Sequence, residues 1–133
     1  MTQDCALEPE DWCDPLMTPT ALKAFRRKLP DCDLAVYVDL GSRTVLSWDG
    51  ALHFRQEHLD VLCACAADLF DSAPKGDGPV EHVLFLSPTG SRTFFRNLAD
   101  PNEALCCICA ADIAVGSLIN AVRAALAGED PAR

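Results

Sequence analysis

The chain has 133 residues, half of them hydrophobic, which is enough for one domain with its own core but too few for two ordinary domains. Twenty acidic residues against eleven basic ones give a formal net charge of −9, and such a field repels phosphate backbones and argues against nucleic-acid binding. No apolar run reaches the roughly 20 residues of a membrane span, and the N-terminus lacks the features of a secretory signal, so we expect a cytoplasmic protein.

The first predicted helix follows an acidic N-terminal extension, residues 1–17, and covers "TPTALKAFRRKLP". Thr18 is a suitable N-cap, Pro19 occupies the first helical position, and Pro30 ends the helix. Three apolar side chains spaced by three or four residues form one stripe, so this helix should pack on a core. They are Leu22, Phe25 and Leu29.

Two strands are predicted next. The segment "LAVYVDL", residues 34–40, is apolar on both faces, which is typical of a central strand that is covered on each side. The turn "GSR" separates it from a second strand, "TVLSW". Asp49 and Gly50 then form a dipeptide that predicts the turn out of this strand.

The middle helix is predicted from about Arg55 to Asp71, and its apolar side is unusually wide. At 100° per residue the apolar arc covers about 240°, because His58, Val61 and Cys65 extend it. A helix that covers one face of a sheet needs an arc of only a little over 100°. We therefore expect a second packed face against another subunit, with crowding inside the monomer core as the alternative.

A meander of three strands and a last helix complete the pattern. After the loop "APKGDGP", the strands "EHVLFLS" and "SRTFFRNL" flank the hairpin signal "PTG", and "ALCCICAA" is the third strand. The segment "VGSLINAVRAALAG" carries apolar residues at i, i+4 and i+8 and is predicted to stop at Gly128. These residues are Leu118, Val122 and Leu126.

The order of elements predicts an α/β (α+β) fold, α-β-β-α-β-β-β-α. Strands 34–40 and 104–110 are apolar on both sides and should be central, whereas "TVLSW" and "EHVLFLS" should lie nearer the edges. A five-stranded antiparallel sheet flanked by helices on both faces satisfies these requirements.

Most of the eight cysteines are predicted to fill the core. Cys63 and Cys65 lie about 200° apart on a helix, and Cys106 and Cys107 point to opposite faces of a strand, so neither pair can hold one ion. The single C-x-x-C spacing, Cys106 and Cys109, is odd and puts its two thiols on opposite faces of the strand, so we expect no metal and no cofactor. Buried cysteine behaves as a small hydrophobe, and five cysteines should do so. These are Cys63, Cys65, Cys106, Cys107 and Cys109.

The other three cysteines, Cys5, Cys13 and Cys32, lie in segments that we expect to be exposed. Their oxidation would make the protein a thiol redox switch, which stays an alternative function.

The sequence predicts a protein that is not an enzyme. It contains no phosphate-binding loop, dinucleotide fingerprint, nucleophile elbow or H-E-x-x-H pair, and no histidine is accompanied by a matching acid, base or nucleophile. Arg92 and Arg96 share one face of a strand because their spacing is even. They could contact a phosphate or a GTPase, or they could form a solvated face that Phe94 partly packs.

Two stretches and one glycine resemble the Roadblock/LC7 (MglB-like) family, whose fold is profilin-like. The stretch "LAVYVDLGSRTVLSW" is similar to the first hairpin of the family. The stretch "VEHVLFLSPTGSRTFFRNLADPNEALCCICAADIAVGSLINAVRAAL" is similar to its meander and last helix, with Gly116 at the recurrent glycine. The resemblance assigns residues 18–128 to the domain and leaves 129–133 as a short tail. The longer first turn and the cysteines depart from the family pattern.

The resemblance implies a non-catalytic, dimeric adaptor or regulator that binds a small Ras-like GTPase or another protein. Subunits of this family commonly join edge strands into one sheet and pair their middle helices. A homodimer contact is therefore expected, and Arg92 and Arg96 are candidates for the contact with the partner. A small-ligand sensor is a further alternative, which would require an enclosed pocket. The residues expected at the dimer contact are His58, Val61, Leu62, Cys65, Leu69, Val83 and Phe85.

Overall fold

The computed structural model describes residues 17–72 and 81–127, so nearly all of the expected acidic extension and the whole C-terminal tail lie outside the described residues. Within them, three helices and five strands follow one another in the predicted order. Their bounds are α1 Pro19–Arg27, β1 Cys32–Asp39, β2 Thr44–Gly50, α2 Gln56–Ser72, β3 His82–Ser87, β4 Gly90–Arg96, β5 Glu103–Cys109 and α3 Val115–Leu126.

The strands form a single antiparallel sheet in the order β2-β1-β5-β4-β3. The apolar strands β1 and β5 therefore lie side by side in the interior of the sheet, and β2 and β3 are its edges, as the sequence predicts. Strands that are apolar on both faces need cover on both faces, and the three helices supply it.

Two hydrophobic cores lie on opposite faces of the sheet. Helices α1 and α3 cover one face, where Phe25 and Leu118 pack against Tyr37 and Leu105. Helix α2 covers the other face. Five of its buried side chains pack in one core with residues of β1, β4 and β5. They are Leu59, Leu62, Cys63, Ala66 and Phe70. The protein is thus a sheet between two helical layers.

Helix α1 begins as the sequence predicts. The Thr18 hydroxyl accepts a hydrogen bond from the Ala21 N–H at 3.1 Å, and Pro19 occupies the first turn, where its missing N–H costs nothing. The predicted turn at Asp49 and Gly50 is wrong, because both residues continue strand β2 and pair with β1. Arg26, in the last turn of α1, holds the Asp49 carboxylate at 2.5 Å and fixes this extension.

Within the described residues, no helix combines the length and the apolarity that are needed to cross a bilayer.

Candidate protein-interaction surface

Helix α2 has a second apolar side that its own chain does not cover. Val61 is 67% exposed and His58 is exposed, while Cys65 and Leu69 are half-buried. Leu62 differs from its neighbour Val61, because it is only 5% exposed and belongs to the core beneath α2. The wide apolar arc of the sequence thus divides into a buried side and an outward side.

The edge strand β3 continues this apolar surface. Val83 and Phe85 pair with Phe94 and Arg92 of β4, so their side chains stand on the α2 face of the sheet. Val83 is half-buried, whereas Phe85 is 47% exposed and its ring meets the Phe94 ring edge to face at 6.1 Å. Leu86 follows in the strand and is 62% exposed.

Two clefts join the helical and the strand parts of this face. One, of about 490 Å³, lies between Cys65 of α2 and Phe85 of β3, and the other, of about 320 Å³, borders His58 and Val61. Cys65, Arg92 and Ile108 line both clefts, and Ile108 is a member that the sequence analysis did not single out. We call the combined face the α2–β3 surface. Its residues are His58, Val61, Cys65, Leu69, Val83, Phe85, Arg92 and Ile108.

Arg92 and Arg96 of β4 share the α2 face but make different contacts. The Arg96 guanidinium lies over the Phe70 ring, 4.6 Å from its centroid, and the side chain is half-buried. This contact combines apolar packing with attraction between the cation and the ring, so Arg96 stabilises the packing of α2 on the sheet. Arg92 is exposed and lies at the border of both clefts. Phe94 between them is fully buried, as its shared face suggested.

Four of the five cysteines expected in the core are buried, and Cys65 is half-buried. Desolvation is the largest cause that raises the pKa of the Cys63 and Cys106 thiols, so both stay protonated at neutral pH and are poor nucleophiles. In the described parts of the chain, no three His, Cys, Asp or Glu residues are grouped so that they could hold a metal ion.

The expectation that Cys32 is exposed is wrong. Cys32 is 2% exposed, because it begins strand β1 and faces the core beneath α1 and α3. Cys5 and Cys13 lie outside the described residues.

Comparison with known proteins relies on structure, since neither a family model nor a curated protein matches this sequence. The Roadblock/LC7 domain from Streptomyces avermitilis is 15% identical, with a TM-score of 0.73 over 86% of this chain and 95% of its own. MglB in a tetrameric arrangement is 14% identical, with a TM-score of 0.70 over 84% of this chain and 83% of that chain. Myxococcus xanthus MglB is 11% identical, with a TM-score of 0.66 over 90% and 93%.

These structures share the element order and the layers described above at identities too low to compare individual residues. The resemblance read from the two sequence stretches and the likeness in three dimensions agree, and the chain has the Roadblock/LC7 (MglB-like) fold.

Proposed function

We propose that this protein is a non-catalytic adaptor or regulator that forms a homodimer through the α2–β3 surface and binds a small Ras-like GTPase. The observation that carries the proposal is the continuous apolar face on which Val61 is 67% and Phe85 47% exposed. Monomeric proteins rarely expose contiguous apolar patches of this kind unless another molecule covers them.

Burial of this face would supply the free energy of association. Each large apolar side chain that moves from water into a packed contact contributes on the order of 1.5–3 kcal/mol, and Val61 and Phe85 are both available. The half-buried Cys65, Leu69 and Val83 would complete the contact. A two-fold axis brings the same patch of both subunits together, so one exposed face is sufficient for a closed dimer.

The edge strand supports the same arrangement. In the described structure β3 pairs only with β4, so its other side offers unpaired backbone groups to a second strand. Antiparallel pairing of β3 with β3 of a second copy would continue the sheet and bring the two α2 helices together. The tetrameric arrangement of MglB supports self-association in a protein with this fold.

The GTPase partner rests on the family resemblance together with the charge of the chain. A formal net charge of −9 favours partners with basic surfaces and speeds their approach. Catalysis of its own is not part of the proposal, because the Cys63 and Cys106 thiols beneath α2 are held protonated and the α2–β3 surface carries no pair of acid and base. A small-ligand sensor would need an enclosed pocket, whereas both clefts of the α2–β3 surface open to solvent.

Light scattering coupled to size exclusion tests the dimer. At micromolar concentration the wild-type chain should have twice its 14.4 kDa monomer mass. Val61→Glu places a charge in the contact and should give a monomer. Leu52→Glu is the matched control, because Leu52 is 75% exposed and lines neither cleft. A wild-type monomer, or equal effects of both variants, contradicts the proposed dimer.

The partner is tested by affinity capture from a lysate of the source organism, loaded in parallel with GDP or a non-hydrolysable GTP analogue. A Ras-like GTPase should be retained by wild type and by Leu52→Glu in one nucleotide state. If neither nucleotide gives a retained GTPase, this part of the proposal is wrong, whatever the dimer measurement shows.

A further inference from the structure

Three thiols meet at one end of the central strands, on the face opposite to the α2–β3 surface. Cys32 begins β1, and Cys107 and Cys109 are the two residues of the β5 end that face the same core. The side chains of Cys32 and Cys109 are each 2% exposed, and Cys107 is fully buried. The strand register places Cys32 directly across from Cys109.

The backbone around this pair brings the two cysteines close together. The Ala110 N–H donates to the Asp31 carbonyl at 2.8 Å. This hydrogen bond joins the residues next to Cys32 and Cys109 rather than Cys32 and Cys109 themselves. Opposite residues that are flanked by such bonds are the close kind of antiparallel pair, with Cα atoms about 4.5 Å apart. A disulfide accepts Cα separations of about 4.4–6.8 Å. The register of β1 shifts by one residue between Cys32 and Leu34, on the other side of the pair, and at the ideal separation a disulfide could join Cys32 and Cys109.

The surroundings make the two thiols chemically unequal. Hydrogen bonds from the Cys107 and Cys109 thiols are the largest causes that lower the pKa of Cys32, and the positive charge of Arg26 acts in the same direction. Arg26 is held there by a hydrogen bond from its Nε to the Cys32 carbonyl at 3.1 Å. The hydrogen bond to Cys32 is the largest cause that raises the pKa of Cys109. The thiolate is thus favoured on Cys32, while Cys109 keeps its proton.

We propose that Cys32 and Cys109 are a redox modification site, at which a peroxide converts the two thiols into a reversible disulfide. Cys32 ionises, its thiolate attacks one peroxide oxygen, and the O–O bond breaks; the released hydroxide combines with the proton that Cys32 gave up and forms water. The Cys32 sulfenic acid is then attacked by the Cys109 sulfur, and its hydroxyl leaves with the Cys109 proton as a second water. Two thiols are oxidised, and one hydrogen peroxide is reduced to two waters.

The disulfide would tie β1 to β5 and so hold the centre of the sheet together in oxidising conditions. Cross-linking two residues that are distant in sequence restricts the unfolded chain and raises stability. Because the site faces α1 and α3, it is independent of the α2–β3 surface, and neither proposal depends on the other.

Mass spectrometry of the full chain tests the pairing. Wild-type protein is titrated with hydrogen peroxide, its remaining thiols are alkylated, and the digest is searched for linked peptides. A Cys32–Cys109 peptide should appear and should vanish after dithiothreitol. Cys32→Ser and Cys109→Ser should abolish it. Cys106→Ser is the matched control and should leave it unchanged, because Cys106 is equally buried but faces α2.

Thermal unfolding of wild-type protein gives a readout that does not depend on any variant. The oxidised form should melt higher than the reduced form, by a shift on the order of 10 °C. The proposal is overturned if wild type shows no such shift, if no linked peptide contains Cys32, or if Cys32 links to a cysteine other than Cys109. Loss of the linked peptide in Cys106→Ser would also overturn it.

Discussion

The Tyr37 hydroxyl donates a hydrogen bond to Oε1 of Glu103 at 2.6 Å, which joins the two central strands β1 and β5 beneath α3. The same hydroxyl accepts a hydrogen bond from Nδ2 of Asn97 at 2.9 Å. Tyr37 is fully buried and Asn97 is 3% exposed, so water does not serve as a substitute partner. One phenol oxygen thus satisfies two polar groups at the edge of the core.

Removal of this hydroxyl should therefore be costly. Tyr37→Phe leaves the ring packing intact but leaves the Asn97 amide without its acceptor, and we expect the free energy of unfolding to fall by about 1–3 kcal/mol. Urea denaturation measures the change. Thr89→Ala removes a hydroxyl from the exposed β3–β4 turn and should change stability by less than about 0.5 kcal/mol. Equal stability of Tyr37→Phe and wild type would contradict the network.

The buried phenol of Tyr37 should also make the protein less stable in alkali. Burial is the largest cause that raises the pKa of Tyr37 above its ordinary value of about 10, followed by the hydrogen bond to Glu103. The unfolded chain ionises near pH 10 while the folded chain keeps the phenol neutral. The contribution of Tyr37 to the free energy of unfolding is therefore fully present below about pH 10. Above that pH it falls by up to about 1.4 kcal/mol per pH unit.

The stability difference between wild type and Tyr37→Phe should accordingly shrink as the pH rises above about 10, in parallel urea titrations. Tyr37 is the only tyrosine of the chain, so tyrosinate absorbance reports its ionisation directly. A difference that stays constant with pH, or tyrosinate that forms in the folded protein at the pH of a free phenol, would refute this prediction.

The ion pair between Arg26 and Asp49 should contribute more to stability than the exposed pair between Arg43 and Asp68. Arg26 and Asp49 are only 17% and 21% exposed, whereas Arg43 and Asp68, at 2.7 Å, are 47% and 69% exposed. Arg26→Ala should lower the free energy of unfolding by about 1–3 kcal/mol, because it removes the partner of a carboxylate that is largely shielded from solvent. Arg43→Ala should cost much less, because solvent screens this exposed pair. Similar losses in both variants would show that burial does not decide the strength of these pairs.

The element order and the faces of the sheet were predictable because they depend on local patterns. The strand 34–40 is apolar on both faces and therefore had to be central in the sheet. The helix start was predictable because Thr18 is an N-cap residue and Pro19 suits the first helical turn. The end of β2 was not predictable in this way. Asp49 and Gly50 are turn residues locally, and the contact with Arg26, 23 positions away, overrides that preference.

The burial of Cys32 depends on a contact that is equally distant in sequence. Its neighbours Asp31 and Asp33 are exposed, so the local segment suggests a loop, and only the pairing with Cys109 places the thiol in the core. The width of the α2 arc correctly indicated two apolar sides. It did not separate Val61 from Leu62, which point about 100° apart and lie outside and inside the monomer core. The contact between Arg96 and Phe70 likewise could not be predicted, because it depends on how α2 packs on the sheet.

A proline in β3 tests whether the free strand edge takes part in the proposed dimer. The Arg96 N–H donates to the Glu81 carbonyl at 2.8 Å, so alternation along an antiparallel ladder directs the N–H groups of residues 81, 83 and 85 towards β4. The N–H of Leu84 then points away from the sheet. Leu84→Pro removes that outward donor without removing a ladder bond, which edge strands tolerate. We expect this variant to fold and to be a monomer by light scattering.

Leu84→Ala is the control for this substitution, since it removes most of the same side chain but keeps the N–H. It should remain a dimer, because pairing between strands depends on the backbone donor rather than on the leucine. Circular dichroism should show the same helix and strand content in both variants, so that loss of the dimer is not loss of the fold. If Leu84→Pro is folded and still dimeric, the edge of β3 is not part of the contact. A monomeric Val61→Glu would then place the contact on α2 alone, since the two substitutions act on different elements of the same surface.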